Sequence, residues 1–258
     1  MLLAVDCGNT NVVFAVYDGD DFKGQWRAAT KTERTSDEYG IWLTQLMVHD
    51  HVDTSAITHA IVASVVPSKN FDLKRLCEKY FKCKPIFVGD PGVELGAEIK
   101  VDNPAEAGSD RVVNALAAHA TYAGPLIIID FGTATTFDVV DKTGAYCGGC
   151  IAPGINLSME ALHMATAQLP RLPVKNPGNA PIVGTSTIAA MTSGVFWGYI
   201  GLIEGLVTRI RAERGESLKV IATGGLAPLF AEATTIIEHT DQDLTMRGLL
   251  QIHKRNAR

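Results

Sequence analysis

Residues 2–18 read LLAVDCGNTNVVFAVYD, and residues 126–141 read LIIIDFGTATTFDVVD. When Asp6 is aligned with Asp130, Gly8 falls on Gly132, and apolar runs typical of strands flank both glycines. The offset from 6 to 130 is 124 residues, about half of the 258-residue chain. We therefore predict two β-hairpins in matching places of two similar halves.

Both turns contain the residue types that bind phosphate and a metal ion. An Asp at the end of a buried strand supplies a carboxylate, and the Gly, Thr and Asn that follow supply N–H and hydroxyl donors. Without gaps, the alignment places Asn9 on Thr133 and Thr10 on Ala134. For one copy alone, an ordinary hairpin turn is the alternative, because Asp and Gly are common in turns. Two copies favour phosphate binding.

The composition indicates a folded protein with a large core. Apolar residues make up 47% of the chain and charged residues 20%, which excludes a disordered protein. A net charge of −5 argues against a general nucleic-acid binder, which would need a basic stripe. The N-terminus shows no signal-peptide pattern, and no uninterrupted apolar run reaches the roughly 18 residues of a membrane span. We therefore expect a cytoplasmic protein with neither a nucleic-acid nor a membrane partner.

Five cysteines, an odd number, are typical of free thiols rather than of a disulfide framework. Cys147 and Cys150 form a C-G-G-C that suggests a redox or zinc site, but no second C-x-x-C or nearby His pair completes a metal-ligand set. We give more weight to Gly148, Gly149 and Gly154, which permit a close approach of the backbone to a ligand.

Strands and helices alternate along the rest of the chain, which predicts sheets with helices on their faces. The predicted strands cover 57–66, 85–88, 125–130 and 218–223; the predicted helices begin near 36 and cover 70–81, 109–122, 155–169, 188–214 and 243–254. A proline-rich loop, 170–187, suits a lid or an interface. The helix over 188–214 carries more apolar surface than one core covers, so we expect a homodimer through this region.

The stretch NPAEAGSDR, residues 103–111, leads into the helix that precedes the second hairpin. Ser109 or Asp110 lies at the first positions of this helix, where an acidic group is stabilised by the helix dipole. A plain capping residue is one interpretation. The other is a catalytic base, Asp110, beside an anion-binding cation, Arg111.

Neither a P-loop nor a dinucleotide-binding G-x-G-x-x-G occurs in the chain. Instead, DCGNTN, DFGTATT and a late GGL at 224–226 resemble the two phosphate motifs and the adenosine motif of the actin, hexokinase and Hsp70 superfamily. That resemblance implies an α/β fold of duplicated RNase H-like domains of the actin and hexokinase type, with a nucleotide cleft between them. We predict an N-terminal domain over 1–115 and a C-terminal domain over 116–258.

Within this superfamily, the whole chain resembles the type III pantothenate kinases. The motifs DxGNTN, NPxxxGxDR, DFGTATT and GGxIxPG occur in that family's order over essentially all 258 residues. The resemblance implies ATP-dependent phosphorylation of pantothenate, the first step of coenzyme A biosynthesis. It also implies a homodimer, a divalent cation such as Mg²⁺, and a monovalent cation such as K⁺ or NH₄⁺.

The resemblance assigns roles to individual positions. Asp110 would be the general base, Asp130 would bind the monovalent cation, and Asp6 would belong to the Mg²⁺ shell. The positions assigned to ATP are Asp6, Gly8, Asn9, Thr10, Asn11, Thr133, Gly224 and Gly225, and those assigned to pantothenate are Gly108, Ser109, Asp110, Arg111 and, from the partner subunit, Thr185.

The chain departs from the family pattern at Val101, where the family often has Tyr, and this leaves an aromatic substrate contact in doubt. One alternative function keeps the fold and phosphorylates another small alcohol, such as a sugar. Another is a catalytically weak regulatory protein that binds ATP as a switch, as transcription accessory factors of this fold have been described. Asp110 beside Arg111 favours catalysis, because a sensor needs no base.

Overall fold

The structure is a computed structural model, which describes residues 1–31 and 33–257. Two compact units account for the chain: Met1–Ala117 with Asp243–Arg258, and Ala118–Gln242. The strands are β1 Leu2–Cys7, β2 Asn11–Asp18, β3 Asp21–Ala29, β4 His59–Ser64, β5 Pro85–Phe87, β6 Leu126–Phe131, β7 Ala134–Val140, β8 Tyr146–Pro153, β9 Lys219–Thr223 and β10 His239–Thr240. The α-helices are α1 Ser36–His49, α2 Asn70–Tyr80, α3 Ser109–Tyr122, α4 Ile155–Met164, α5 Thr187–Arg214, α6 Ala227–Ala231 and α7 Leu244–Asn256.

The two units contain five-stranded sheets of the same topology. The strand orders are β3-β2-β1-β4-β5 and β8-β7-β6-β9-β10. In each sheet, the first three strands in sequence form an antiparallel meander, and the last two join in parallel. The predicted hairpins and the predicted duplication are therefore confirmed.

The two hairpins differ in length by one residue. In the first, the N–H of Gly8 donates to the carbonyl of Asn11, whereas in the second, the N–H of Gly132 donates to the carbonyl of Ala134. Strand pairing matches Cys7 with Val12 but Phe131 with Thr135. The gapless alignment is therefore correct for the first strand and its glycine but wrong beyond it. Because one residue reverses the face of every later side chain in a strand, this shift matters for the site.

The corrected equivalences follow from the third strand of each sheet. Thr30, directly after β3, donates its N–H to the carbonyl of Thr10, and Gly154, directly after β8, donates its N–H to the carbonyl of Thr133. Thr10 and Thr133 are therefore equivalent, and Asn9 is the additional residue of the first turn.

The core of the first unit lies on both faces of its sheet. Side chains alternate along β1, so that Leu3 and Val5 pack against α1 and α2, while Leu2 and Ala4 pack on the opposite face. That opposite face is covered by α3 and α7. The N-terminus of α1 is fixed by a capping box between Thr35 and Glu38, as its sequence allows.

Helix α7 belongs to the first unit, although the predicted boundary assigned residues 243–258 to the second domain. Its residues Met246, Leu249 and Ile252 are buried in the same cluster as Leu2 and Ala4. Gly248 allows α7 to approach α3 closely, because a Cβ at this position would lie 2.4 Å from the carbonyl oxygen of Val113.

The second unit is built around α5, which covers one face of its sheet. Its buried residues are Met191, Ser193, Phe196, Tyr199, Ile200, Ile203, Val207 and Ile210. Val195 and Leu206, on the same helix, are only partly buried. By length and composition alone, α5 could cross a membrane, but the core helix of a globular protein passes the same test, and six of its buried residues from Phe196 to Ile210 lie in the unit's main apolar cluster.

Two predicted boundaries need correction. Helix α4 ends at Met164, so Leu169 lies beyond it. The predicted loop has no helix or strand over 170–186, but Thr187 already belongs to α5. The prediction of free thiols is confirmed at all five cysteines.

Candidate active site

The first turn that we predict to bind phosphate, residues 8–11, follows the end of β1 and is held from two sides. Gly8 donates to Asn11 across the turn, with an N···O distance of 3.0 Å. Thr30 makes two further contacts: its N–H donates to Thr10 (2.9 Å), and its hydroxyl donates to the carbonyl of Gly8 (2.7 Å). Asn9 and Thr10 are exposed at the tip. The turn therefore presents its tip to solvent on a fixed backbone.

The second turn is shorter and is held by backbone hydrogen bonds from Gly132 and Gly154. Thr133 is exposed at its tip, and the N–H of Gly154 donates to its carbonyl at 3.0 Å. A Cβ on Gly154 would lie 2.3 Å from the oxygen of Thr133 and 2.6 Å from that of Gly132. Gly154 therefore approaches the turn itself, and Gly149 likewise approaches β7, where a Cβ would meet the oxygen of Phe137 at 1.9 Å. The close contacts at both glycines are with the protein's own backbone, where we had expected a ligand.

The predicted adenosine motif lies beside Asp130 within the second unit. Strands β6 and β9 are parallel neighbours, and Asp130 pairs with Thr223. Gly224 has φ +88°, and a Cβ there would lie 2.8 Å from Oδ1 of Asp130 and 2.7 Å from the carbonyl oxygen of Phe131. Gly225 is exposed and has open space around its Cα. The β9–α6 turn and the end of β6 therefore form one continuous backbone surface.

The predicted base lies at the start of α3, at the edge of the first sheet where β1 ends. The hydroxyl of Ser109 accepts from the N–H of Ser64 (3.1 Å) and donates to the carbonyl of Ser64 (3.2 Å). Ser64 pairs with Cys7, which follows Asp6. These contacts bring the first turn of α3, and with it Asp110, to the same sheet edge as Asp6.

The environment of Asp110 favours its protonated form more than water does. Burial raises the pKa of its carboxyl above the ordinary value, and the N–H and charge of Arg111 offset part of this rise. That N–H donates to Oδ1 of Asp110 at 2.8 Å. A Cβ on Gly108 would lie 2.6 Å from the same oxygen, so glycine leaves room for the carboxylate. A raised carboxyl pKa is typical of catalytic acids and bases.

Thr185 lies in the second unit, in the segment that folds back on the first turn of α5. Ser193 donates its hydroxyl to the carbonyl of Ile182 (2.6 Å), and Gly184 packs so closely that a Cβ would meet the N of Ala190 at 2.3 Å. Thr185 itself is exposed. Its hydroxyl is thus presented on an ordered surface of the second unit.

Two residues at these sites were not identified from the sequence. Thr30 holds the first turn, and Ser64 joins β4 to α3. Both residues lie outside the Asp-Gly motifs, and their roles depend on strand pairing, which the motifs do not show. A signal for Thr30 was present in the chain, since a Thr directly after the third strand of a meander lies beside the first turn.

The donor set indicates what kind of cation these sites could hold. Among residues 1–31 and 33–257, no three His, Cys, Asp or Glu side chains are grouped to hold a metal ion. Magnesium at nucleotide sites binds through one or two carboxylates, with phosphate oxygens and waters completing the shell. Asp6 and Asp130, each at the end of a strand beside a glycine turn, therefore fit cations held jointly with a nucleotide.

Comparisons with known proteins agree on one family. A family model described as type III pantothenate kinase matches residues 2–209. The protein named type III pantothenate kinase from Paramagnetospirillum magneticum is 62% identical over 257 residues, which cover 100% of this chain and 98% of the relative. That of Rhodospirillum rubrum is 61% identical over 256 residues, with 99% of each chain covered.

Solved structures of low identity show the fold. A Baf family protein from Campylobacter jejuni is 19% identical, with a TM-score of 0.62 and 98% of each chain covered. The activator of the 2-hydroxyisocaproyl-CoA dehydratase from Clostridium difficile, solved with ADPNP, is 13% identical, with a TM-score of 0.55, and 99% of this chain and 96% of that one are covered. The predicted α/β fold of the actin and hexokinase type is confirmed. From the family model and the full-length relatives together, this chain belongs to the type III pantothenate kinase family and is a kinase.

Proposed function

We propose that the chain transfers the γ-phosphoryl group of ATP to the primary hydroxyl of pantothenate, which gives 4'-phosphopantothenate in the first step of coenzyme A biosynthesis. The observation that carries the proposal is the partly buried carboxyl of Asp110, with its raised pKa, at the sheet edge where Asp6 and the first turn lie. A regulator that only binds ATP is not favoured, because the relatives at 62% and 61% identity carry the kinase name. We place the enzyme in the cytoplasm.

In this mechanism, Asp110 acts on the acceptor. Its carboxylate takes the proton of the pantothenate hydroxyl, the hydroxyl oxygen attacks the γ-phosphorus, and the bond to the bridging oxygen breaks to release ADP. Phosphoryl transfer requires mainly positioning and charge neutralisation from the protein. Arg111 and Gly108 lie next to the base and would bind the substrate beside it.

The two turns act on the nucleotide. Gly8, Asn9, Thr10 and Asn11 would hold phosphate oxygens in the first unit, and Thr133, Gly224 and Gly225 would contact ATP in the second. A bound divalent cation, with Asp6 in its shell, would neutralise charge on the phosphates. Asp130 would bind K⁺ or NH₄⁺. The carboxylate of Asp130 lies beside the backbone carbonyl of Phe131, and backbone carbonyls are ligands that coordinate K⁺.

We propose a role for Ser109 that differs from the one implied by the family resemblance. Both the donor and an acceptor position of its hydroxyl are engaged by Ser64. We therefore propose that Ser109 positions α3, while the acceptor alcohol is bound by its neighbours Gly108 and Arg111.

We also propose a homodimer formed through the second unit. Ile182 and Val183 are 70% and 81% exposed, and Ile188, on the first turn of α5, is exposed as well. These apolar side chains flank Thr185 in sequence. Contact with a second copy would bury them, and would let Thr185 reach the pantothenate bound to the partner.

The decisive experiment is ADP release from the purified protein with ATP, Mg²⁺ and pantothenate, in K⁺ and in Na⁺. We expect K⁺-dependent turnover, and a loss of two to four orders of magnitude in kcat for Asp110→Asn, the typical size of general-base catalysis. The acid limb of the wild-type kcat/KM profile should lie above the ordinary Asp pKa of 3.8, because burial raises the pKa of Asp110.

Asp53→Asn is the matched control, because Asp53 is an exposed carboxylate that only caps a 3₁₀ turn. Its turnover should equal that of the wild type. Turnover that survives in Asp110→Asn would remove the base from this role, and turnover of a sugar but not of pantothenate would change the substrate.

A further inference from the structure

The residue that directly follows the third strand has the same backbone contact in both sheets. Asn11 pairs with Ala29, and Ala134 pairs with Pro153. The next residues, Thr30 and Gly154, donate their N–H groups to the turns at 2.9 and 3.0 Å. The fold therefore brings this position against each phosphate turn.

The two positions differ in what the side chain can do. On Gly154, a Cβ would collide with the carbonyl oxygens of Thr133 and Gly132. The first turn contains the additional residue Asn9, and there the hydroxyl of Thr30 donates to the carbonyl of Gly8 at 2.7 Å. The first turn therefore has both the extra residue Asn9 and a contact from the hydroxyl of Thr30. The second turn has no extra residue, and the position equivalent to Thr30 is Gly154.

The contact with the Gly8 carbonyl fixes the orientation of one peptide. In a trans peptide, the C=O and the following N–H point in opposite directions. The strand order β3-β2-β1-β4 means that a Gly8 carbonyl bonded to Thr30 points toward β3. The N–H of Asn9 therefore points the other way, toward the side of β4, where Ser64 holds the start of α3 and Asp110.

We propose that Thr30 is a positioning residue, whose hydroxyl holds the Gly8–Asn9 peptide so that the N–H of Asn9 faces the nucleotide phosphates. This inference rests on the proposed function, since it assumes that the first turn binds ATP. An N–H held in place before the ligand arrives lowers the cost of binding. Without the hydroxyl, the peptide is free to turn, although the backbone contact from Thr30 to Thr10 remains.

The test is Thr30→Val, which removes the hydroxyl and keeps the shape, with Thr30→Ser, which restores it. We expect Thr30→Val to raise KM for ATP, and Kd for a non-hydrolysable ATP analogue measured by calorimetry, by about three- to tenfold, the usual worth of one hydrogen bond. KM for pantothenate should stay within about twofold, because both hydrogen bonds that the structure describes for Thr30 are with the first turn. Thr30→Ser should match the wild type.

Thr44→Val is the matched control. The hydroxyl of Thr44 also donates to a backbone carbonyl at 2.7 Å, that of Gly40, but within α1. Its loss should leave both KM values unchanged. If Thr30→Val proves unstable by thermal melting, Thr30→Ala is measured in its place.

Three results would overturn the role of Thr30: an unchanged analogue Kd in Thr30→Val, a defect in Thr30→Ser as large as that in Thr30→Val, or equal changes in the KM of both substrates. Failure of the proposed function has a separate signature. A wild-type protein that binds the analogue but does not phosphorylate pantothenate would refute that function, while the comparison of Kd values would still decide the role of Thr30.

Discussion

The two glycines that follow β9 differ in what a side chain would meet. A Cβ on Gly224 would collide with Asp130 and Phe131, and the backbone of Gly224 has φ +88°, which residues other than glycine rarely adopt. Gly225, in contrast, has open space around its Cα. We expect Gly224→Ala to lower the free energy of unfolding by about 1–2 kcal/mol from the left-handed backbone alone. Because it displaces the Asp130 carboxylate, it should also raise the K⁺ concentration needed for half-maximal activity.

Gly225→Ala is the matched control for this prediction: at saturating ATP, it should retain the stability of the wild type and its K⁺ concentration for half-maximal activity. The measurements are urea unfolding and a K⁺ titration of turnover. If both variants behave alike, the close approach of Gly224 to Asp130 is unimportant for the cation.

The residues proposed to act on the substrates are easier to predict from the sequence than the residues that hold them in position. Asp6, Asp110 and Asp130 stand in recognisable motifs, and their roles stay predictions that the geometry supports. The engagement of Ser109 by Ser64, and of Gly8 by Thr30, depends on which strand ends are neighbours. Such contacts become visible only once the sheet is assembled, because the partners are far apart in sequence.

Among the elements, the hairpins show where the sequence alone was insufficient. The strands of both hairpins were predicted correctly. However, the sequence allows two registers for the second hairpin, and both leave Asp130 and Gly132 at the same positions. The shorter turn is fixed by pairing of β7 with β6 and β8. An apolar pattern that continues on both faces, as in Phe137, Val139 and Val140, does not reveal a shift of one residue.

Helix α7 contains a histidine, His253, whose protonation should make the stability of the protein depend on pH. The ring centroids of His253 and His59 are 5.2 Å apart. Burial lowers the pKa of His253, and the charges of His59 and of the N-terminal amine lower it further. Among the residues that the structure describes, the buried Nδ1 of His253 has no hydrogen-bond partner. A proton on His253 is therefore disfavoured in the folded state.

The direction of the pH dependence follows from the difference in the pKa of His253 between the folded and the unfolded state. The unfolded chain binds the proton of His253 near the ordinary pKa of 6.5, whereas the folded chain binds it only at lower pH. The contribution of His253 to stability is thus fully present above pH 6.5 and decreases as the pH falls below it. Urea unfolding should show a smaller loss between pH 8 and pH 5.5 for His253→Gln than for the wild type. His49→Gln, at an exposed end of α1, should lose as much as the wild type.

For the whole molecule, the duplication was predictable because it repeats a motif, but the division of the chain was not. Residues 243–256 follow the second repeat in sequence, yet α7 covers the sheet of the first unit. The amphipathic pattern of α7 shows that it packs on something, and does not show on which of two similar sheets. Only the fit of Gly248 against Val113 and the burial of Met246, Leu249 and Ile252 distinguish them.

The proposed dimer leads to a prediction that involves two copies of the chain. If Thr185 serves the pantothenate site of the partner, Asp110→Asn and Thr185→Ala inactivate the same site from different chains. A mixed dimer then contains one site with both residues intact, namely Asp110 from the Thr185→Ala chain and Thr185 from the Asp110→Asn chain. Random exchange of subunits makes about half of the dimers mixed, so the mixture should regain about a quarter of wild-type turnover.

The measurement is ADP release after the two inactive variants are mixed and left to exchange, with each variant alone as the baseline. Val183→Asp in both chains should abolish the recovery and give a monomer by size-exclusion chromatography, because a charge cannot be buried unpaired in an apolar interface. Phe71→Asp, at an apolar position on α2 that is 70% exposed, should leave the recovery intact. A mixture that stays inactive although exchange has occurred would mean that Asp110 and Thr185 act within one chain, and the apolar surface around Thr185 would then have no part in catalysis.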